Sequence, residues 1–190
     1  MSEFGLIAVS AIFSSNIIAA TGVGAISLQS EKRHFGFMIL TTFLTILSVI
    51  FTGMTYFALE RFILVKLEAE FLKLFIVVCF SCIFAFISKS IVKAVSKEDY
   101  YFYEKSYQLP TQTAVTVGTV MLIEFSTKLL TNLYMLAVYS AGFLLVQIIF
   151  YGLYERLDNV HILKPARNVP VMLLILSVVG MVLYAVGMCF

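Results

Sequence analysis

An all-α integral membrane protein of six transmembrane helices, arranged as a 3+3 inverted repeat with broken helices 1 and 4, is the fold class this sequence predicts. Three observations predict it. Of 190 residues, 61% are hydrophobic and only 13% are charged, against roughly a quarter charged in soluble domains, and the mean hydropathy is +1.00. The apolar residues fall into six windows close to the roughly 20 residues that a helix needs to cross about 30 Å of hydrocarbon. Long runs such as residues 171–179 do not alternate, as strands of a membrane barrel do. A disordered chain, a secreted disulfide scaffold and an ordinary soluble enzyme are excluded, since none carries so much apolar surface. The net charge is only +2, so no nucleic acid is expected as partner and membrane lipid is the surrounding phase.

The windows follow in order. Residues 5–27 and 35–59 carry no formal charge. Residues 60–73 interleave charges with Phe62, Ile63, Leu64, Leu67, Phe71 and Leu72, the pattern of a helix lying in the interface. Residues 74–88 are apolar, and Lys89 and Lys93 then share one helical face before Val95. Lysines near a helix end extend to the headgroups, so this is the third span. The fourth, residues 106–123, is short and polar, with Pro110, Gln112, Gly118 and five Ser or Thr residues. Residues 129–154 and 168–190 are the fifth and sixth.

Orientation follows the basic residues of the connections. Those after spans one, three and five hold Lys32, Arg33, Lys89, Lys93, Lys97, Lys105, Arg156, Lys164 and Arg167, nine in all; the other side holds Arg61, Lys66, Lys73 and Lys128, four. The odd-numbered connections are therefore expected in the cytoplasm and both termini outside. No cleaved targeting peptide is expected, because the N-terminus lacks a positive n-region and its first apolar run is too long.

Chemistry-bearing side chains are few. Cys79 and Cys82 stand three residues apart within span three, on one helical face. They read either as half of a metal or cluster site or as two small apolar side chains at a helix contact. The missing further ligands nearby favour the second. His34 and His161 lie far apart in connections, without metal-ligand spacing. Glu124 and Lys128 stand four apart just beyond span four, where a helical ion pair at the membrane edge is favourable. No P-loop, GxGxxG or nucleophile–base arrangement occurs, so soluble-enzyme chemistry is not indicated.

Six spans divide into residues 1–96 and 97–190, three helices each, and an odd number inverts the second half relative to the first. The leading span of each half is irregular. Span one carries Ser14-Ser15-Asn16 and Thr21-Gly22-Val23-Gly24; span four carries Leu109-Pro110-Thr111-Gln112-Thr113 and Thr116-Val117-Gly118. Gly and Pro loosen a helix, and the freed backbone groups need partners inside protein or a cavity. Asn16, Thr21, Gly22, Gly24, Pro110, Thr111, Gln112, Thr113, Thr116 and Gly118 are therefore the candidates for a midplane site. Close packing through small residues explains any one of them singly.

This layout resembles the RnfA/NqrE membrane subunits of Rnf and sodium-pumping NADH:quinone oxidoreductase complexes, over nearly the whole chain. The most specific stretch is Tyr154-Glu155-Arg156-Leu157, then Pro165-Ala166-Arg167, then the last span; Thr41-Thr42-Phe43 and Leu109-Pro110 also fit. The resemblance implies pairing with a homologous subunit of opposite topology (RnfE/NqrD type) and other complex subunits in a bacterial or archaeal inner membrane. It also implies a membrane-embedded [2Fe–2S] cluster held by cysteines of the leading helices, serving electron transfer coupled to ion transport. At the matching positions this chain has Ser15-Asn16 and Val23-Gly24-Ala25-Ile26-Ser27, with Ile26 in the cysteine's place, and residues 113–118 hold no cysteine. Ile and Thr supply no soft anionic donor, so the cluster is expected not to be ligated by this chain.

Two functions follow as expectations. One is a non-catalytic subunit, scaffold and ion path, of an ion-translocating oxidoreductase. The other is a small secondary transporter or substrate-binding membrane component with its site between helices 1 and 4. A purely structural membrane subunit is the third alternative.

Overall fold

The computed structural model describes residues 5, 9, 12, 35–64, 70–95, 100, 103–104, 108–123, 125–158 and 169–189. These form five helices: α1 (Phe35–Leu59), α2 (Lys73–Val95), α3 (Gln108–Leu122), α4 (Leu129–Asp158) and α5 (Val169–Met188). They correspond to the second through sixth expected spans. The first expected span is described only at residues 5, 9 and 12; its candidates Asn16, Thr21, Gly22 and Gly24 lie outside the described residues, as do His34 and His161.

The distribution of side chains is inside-out relative to a water-soluble bundle. Thr41, Thr45, Ser48, Thr52, Gln112 and Gln147 are buried, while Phe43, Phe75, Phe86, Leu174 and Val182 face outward. In water the outward apolar side chains would add nothing to the hydrophobic driving force. In hydrocarbon it is the stable one, because polar groups find partners only inside the protein. Three helical stretches, Gly36–Phe62, Lys73–Val95 and Leu129–Leu153, are long and apolar enough to cross a membrane, and Leu173–Gly187 is a shorter apolar helix. The chain is thus a helical, membrane-embedded protein.

Helix α1 is the centre of the bundle, packing on α2, α3 and α4; α2 and α3 pack on each other, and α5 rests on α4. The buried side of α2 is a narrow stripe of Val77, Ser81, Ala85, Ser88 and Val92. Its small residues let α3 approach closely enough for the Ser81 hydroxyl to reach the Thr113 carbonyl at 3.2 Å. Ile175, Val179 and Leu183 of α5 recur at the four-residue spacing of one face and join Phe143, Val146 and Phe150 of α4 in one apolar cluster. A second cluster joins Val49 and Tyr56 of α1 to Val77, Val120 and Leu136.

The connections correct several expectations. The segment expected as one interfacial helix is built otherwise at its described ends: a π-helical turn, Glu60–Leu64, continues α1, and a 3-10 turn, Glu70–Leu72, leads into α2. Tyr56 anchors the π turn by donating its hydroxyl to Glu60 at 2.9 Å. Ile123 and residues 125–128 are not helical, and Glu124, with the expected Glu124–Lys128 pair, lies outside the described residues. Backbone capture by Asn132 opens this segment. The buried Asn132 amide oxygen accepts from the Ser126 N–H at 2.7 Å, and its nitrogen donates to the Ser126 carbonyl at 2.8 Å. One side chain thereby satisfies both polar groups of a residue that regular structure leaves unpaired. Asn132→Ala is expected to cost about 1–3 kcal/mol, by leaving those groups without partners, as read by unfolding in mixed micelles.

At the other end of α2, Lys89 pairs with Glu104 at 3.2 Å, and the Lys89 and Lys93 ammonium groups both stand over the Tyr100 ring. The two lysines thus reach the connection that precedes α3.

Candidate functional site

Helix α3 organises the polar interior. Its Gln108, Gln112, Thr116 and Thr119 recur at spacings of four, four and three residues and are all buried. They face a matching stripe on α1, where Thr41, Thr45, Ser48 and Thr52 are buried at spacings of four, three and four. At about 1.5 Å per residue, the α1 stripe runs some 16 Å through the bundle. Helix α4 adds Ser140 and Gln147, seven residues apart on its buried side.

Gln112 is the hub of this seam. Its amide oxygen accepts from the Tyr103 hydroxyl at 2.8 Å, and its nitrogen donates to Ser88 at 2.8 Å and to the Leu44 carbonyl at 3.3 Å. Both amide hydrogens are therefore used, and one side chain joins α1, α2, α3 and the connection carrying Tyr103. Ser88 passes its own hydrogen to the Phe84 carbonyl. One turn further along α3, the Thr116 hydroxyl donates to Ser48 at 3.2 Å.

Tyr103 lies outside the spans, yet it is fully buried in a cluster with Phe37, Leu44 and Val92. Burial pushes its phenol up to about 12, because the tyrosinate would be stripped of water. A raised acid pKa means that the folded chain keeps a proton which the unfolded chain releases near pH 10. Its contribution to stability is complete below pH 10 and disappears as the pH climbs through 12. In a spectrophotometric titration of the ten tyrosines, a late component near pH 12 is expected, and Tyr103→Phe removes it.

Beside the hub lies a cavity of about 10 Å³ between α1, α3 and α4, room for roughly one water molecule. Its polar lining comprises Thr41, Thr42, Thr45, Gln108, Thr111 and Gln147, besides Gln112 itself. Met38, Val115 and Phe143 complete the wall. The three α1 threonines turn their hydroxyl hydrogens back onto helix carbonyls: Thr41 toward Phe37 and Met38, Thr42 to Met38 at 2.8 Å, Thr45 to Thr41 at 2.8 Å. Gln147 is buried, and its Oε1 has no hydrogen-bond partner among the described residues. Thr52, on the α1 stripe, has a hydroxyl in the same condition.

Of the sequence candidates, Gln112 and Thr116 enter the seam and Thr111 lines the cavity. Thr113 is half-buried; its hydroxyl returns to the Leu109 carbonyl at 3.0 Å while its own carbonyl takes Ser81. Gly118 is half-buried in the helix, and Pro110 is exposed. The break expected at Pro110 is not found: α3 is continuous from Gln108 to Leu122. Pro110 is its third residue, where the backbone N–H has no intrahelical partner to lose. The proline starts the helix instead of interrupting it.

Ser48, Ser88, Tyr103 and Gln147 were not among the candidates. A hydroxyl or amide inside an apolar span gives a sequence signal only through its spacing, and the stripe at 41, 45, 48 and 52 is that signal.

The arrangement is electrically neutral and offers amides, hydroxyls and carbonyls. It suits holding or passing a small polar species. Among the described residues, no group of three or more His, Cys, Asp or Glu is placed to hold a metal ion. Cys79 and Cys82 are both partly buried on α2. No protein-family model matches the chain, and no curated protein matches it.

Proposed function

We propose that this chain is a membrane subunit of an Rnf/Nqr-like ion-translocating electron transport complex in a bacterial or archaeal inner membrane. On this reading it is a six-span 3+3 inverted repeat, residues 1–96 and 97–190, with both termini outside. It pairs with a homologous RnfE/NqrD-type subunit of opposite topology, beside the other subunits. The observation that carries the reading is the buried neutral seam centred on Gln112 and Thr116 of α3, the helix that leads the second half. In inverted-repeat membrane proteins the shared site lies near the midplane, at the interface between the repeats. The resemblance in Tyr154-Glu155-Arg156-Leu157 and Pro165-Ala166-Arg167 supports it from the sequence.

The residues present do not fit a [2Fe–2S] cluster. Thr113, Thr116 and Gly118 of α3 offer no thiolate, and Ile26 stands where the first half would need one; hydroxyl and alkyl groups cannot replace that soft anionic donor. The chain's part is scaffold and ion path. Purification of the native assembly, with identification of its chains and iron analysis by EPR, tests this. A homologous second membrane subunit is expected to co-purify. Its absence, together with the absence of any redox cofactor in the assembly, sinks the reading, and a cluster signal that requires this chain's residues overturns the claim about ligands.

The cavity beside Gln112 favours a second reading, a small secondary transporter or substrate-binding component. It predicts solute or ion uptake by the isolated chain in liposomes with no electron donor. Lack of flux under a gradient removes it.

A further inference from the structure

We propose that Lys89 and Lys93 of α2, gathered over the Tyr100 ring, form a fixed site for the head group of one anionic phospholipid, with an acyl chain lying along Phe86. The inference stands apart from the subunit reading and uses none of it.

Charge carries the first half. The Lys89 and Lys93 ammonium groups lie 5.6 and 5.7 Å from the same ring centroid. An aromatic face attracts cations, but here it also brings two like charges together. Glu104, 3.2 Å from the Lys89 Nζ, offsets one of them. Across residues 89–105 four lysines stand against three carboxylates, so one positive charge remains in excess. It matches a phosphodiester head group with no ammonium of its own, since anionic lipid is drawn to lysines at the membrane surface.

The same helical face supplies the apolar half. Phe86, Lys89 and Lys93 stand three and four residues apart in α2, and side chains at those spacings are neighbours. Phe86 is 60% exposed, one turn further into the span than Lys89. Inorganic phosphate or an acidic peptide would leave that ring uncovered. A phospholipid brings phosphate and hydrocarbon in one molecule.

The site is also built before a lipid arrives. Lysines that snorkel hold no fixed place, whereas Glu104 and the Tyr100 ring hold these two. Tyr103, buried and bonded to Gln112 at 2.8 Å, anchors the connection that carries both partners. Such preorganisation lowers the ordering cost of binding.

The test is thermal unfolding of the purified full chain in dodecyl maltoside. Phosphatidylglycerol, phosphatidylcholine and inorganic phosphate are compared at one ionic strength. Phosphatidylglycerol is expected to raise the midpoint by roughly 5–10 °C at about a hundredfold its Kd, and the other two far less. Lys93→Gln should weaken phosphatidylglycerol about fivefold, and the Lys89→Gln, Lys93→Gln double variant about 25-fold, at roughly fivefold per lysine. Lys93 is exposed, so its single variant keeps the test decisive if the double variant does not fold. Lys128→Gln, on the exposed segment before α4, should leave the affinity unchanged.

No rise with phosphatidylglycerol overturns the proposal. So does an equal rise with phosphatidylcholine, which would mean bulk lipid only, or with inorganic phosphate, which needs no acyl chain. A rise that the Lys93→Gln variant retains in full places the lipid elsewhere and overturns it as well.

Discussion

Gln112→Met is expected to destabilise the bundle by about 2–4 kcal/mol. Methionine keeps the length of the side chain, so the loss is one of hydrogen bonding and not of volume. The Tyr103 hydroxyl, buried with Gln112 as its acceptor, is left unsatisfied, at a cost of about 1–3 kcal/mol. The bonds to Ser88 and the Leu44 carbonyl add about 0.6 kcal/mol each, typical between helices in a membrane. Ser88→Ala provides the contrast. It removes one acceptor while the Gln112 nitrogen retains the Leu44 carbonyl, so its effect should stay below about 1 kcal/mol. Equal effects from the two substitutions, measured by unfolding in mixed micelles, would show that Gln112 is no hub.

Gly53→Val should be nearly as damaging, for a steric reason. A Cβ built on the buried Gly53 collides with the Leu136 side chain, with Cδ1 at 2.9 Å and Cγ at 3.2 Å. Leu136 of α4 is itself fully buried. A branched side chain at position 53 pushes the helices apart, at about 1–3 kcal/mol. Leu136→Ala alone leaves a cavity and costs about 2–5 kcal/mol. The two defects have opposite signs in volume, so the double variant should be more stable than the sum of the single losses implies. Strict additivity would place the two residues out of contact.

Much of the helical layout was legible because hydrocarbon imposes its own spacing. The window at 35–59 coincides with α1, and the apolar run 74–88, with Lys89 and Lys93 following before Val95, falls within α2. Span four was harder. Pro110 and Gly118 suggest interruption when seen among threonines, whereas position within the helix decides what a proline does, and at the third residue it does no harm. Before α4, the Asn132 side chain clasps both backbone groups of Ser126, a contact that no spacing in the sequence announces. Of the candidate site, the α3 members were visible as polar residues in an apolar stretch. Their partners Ser48 and Ser88 stand out only by spacing, because a single serine in an apolar span reads as a small packing residue. Tyr103 was hidden by position: it precedes the span, and only the folded connection carries it inward.

The 15 residues of α3 extend about 22 Å, short of the roughly 30 Å hydrocarbon slab. A segment so short, with its glutamines and threonines, has little drive of its own to leave the translocon for lipid. Its entry must be assisted by α2, which supplies Ser81 and Ser88, and by the clasp that ties its far end to α4. Biogenesis of this chain is then a joint partitioning event in which three segments enter together. A nascent product stopped before Asn132 should leave α3 accessible to water-borne reagents.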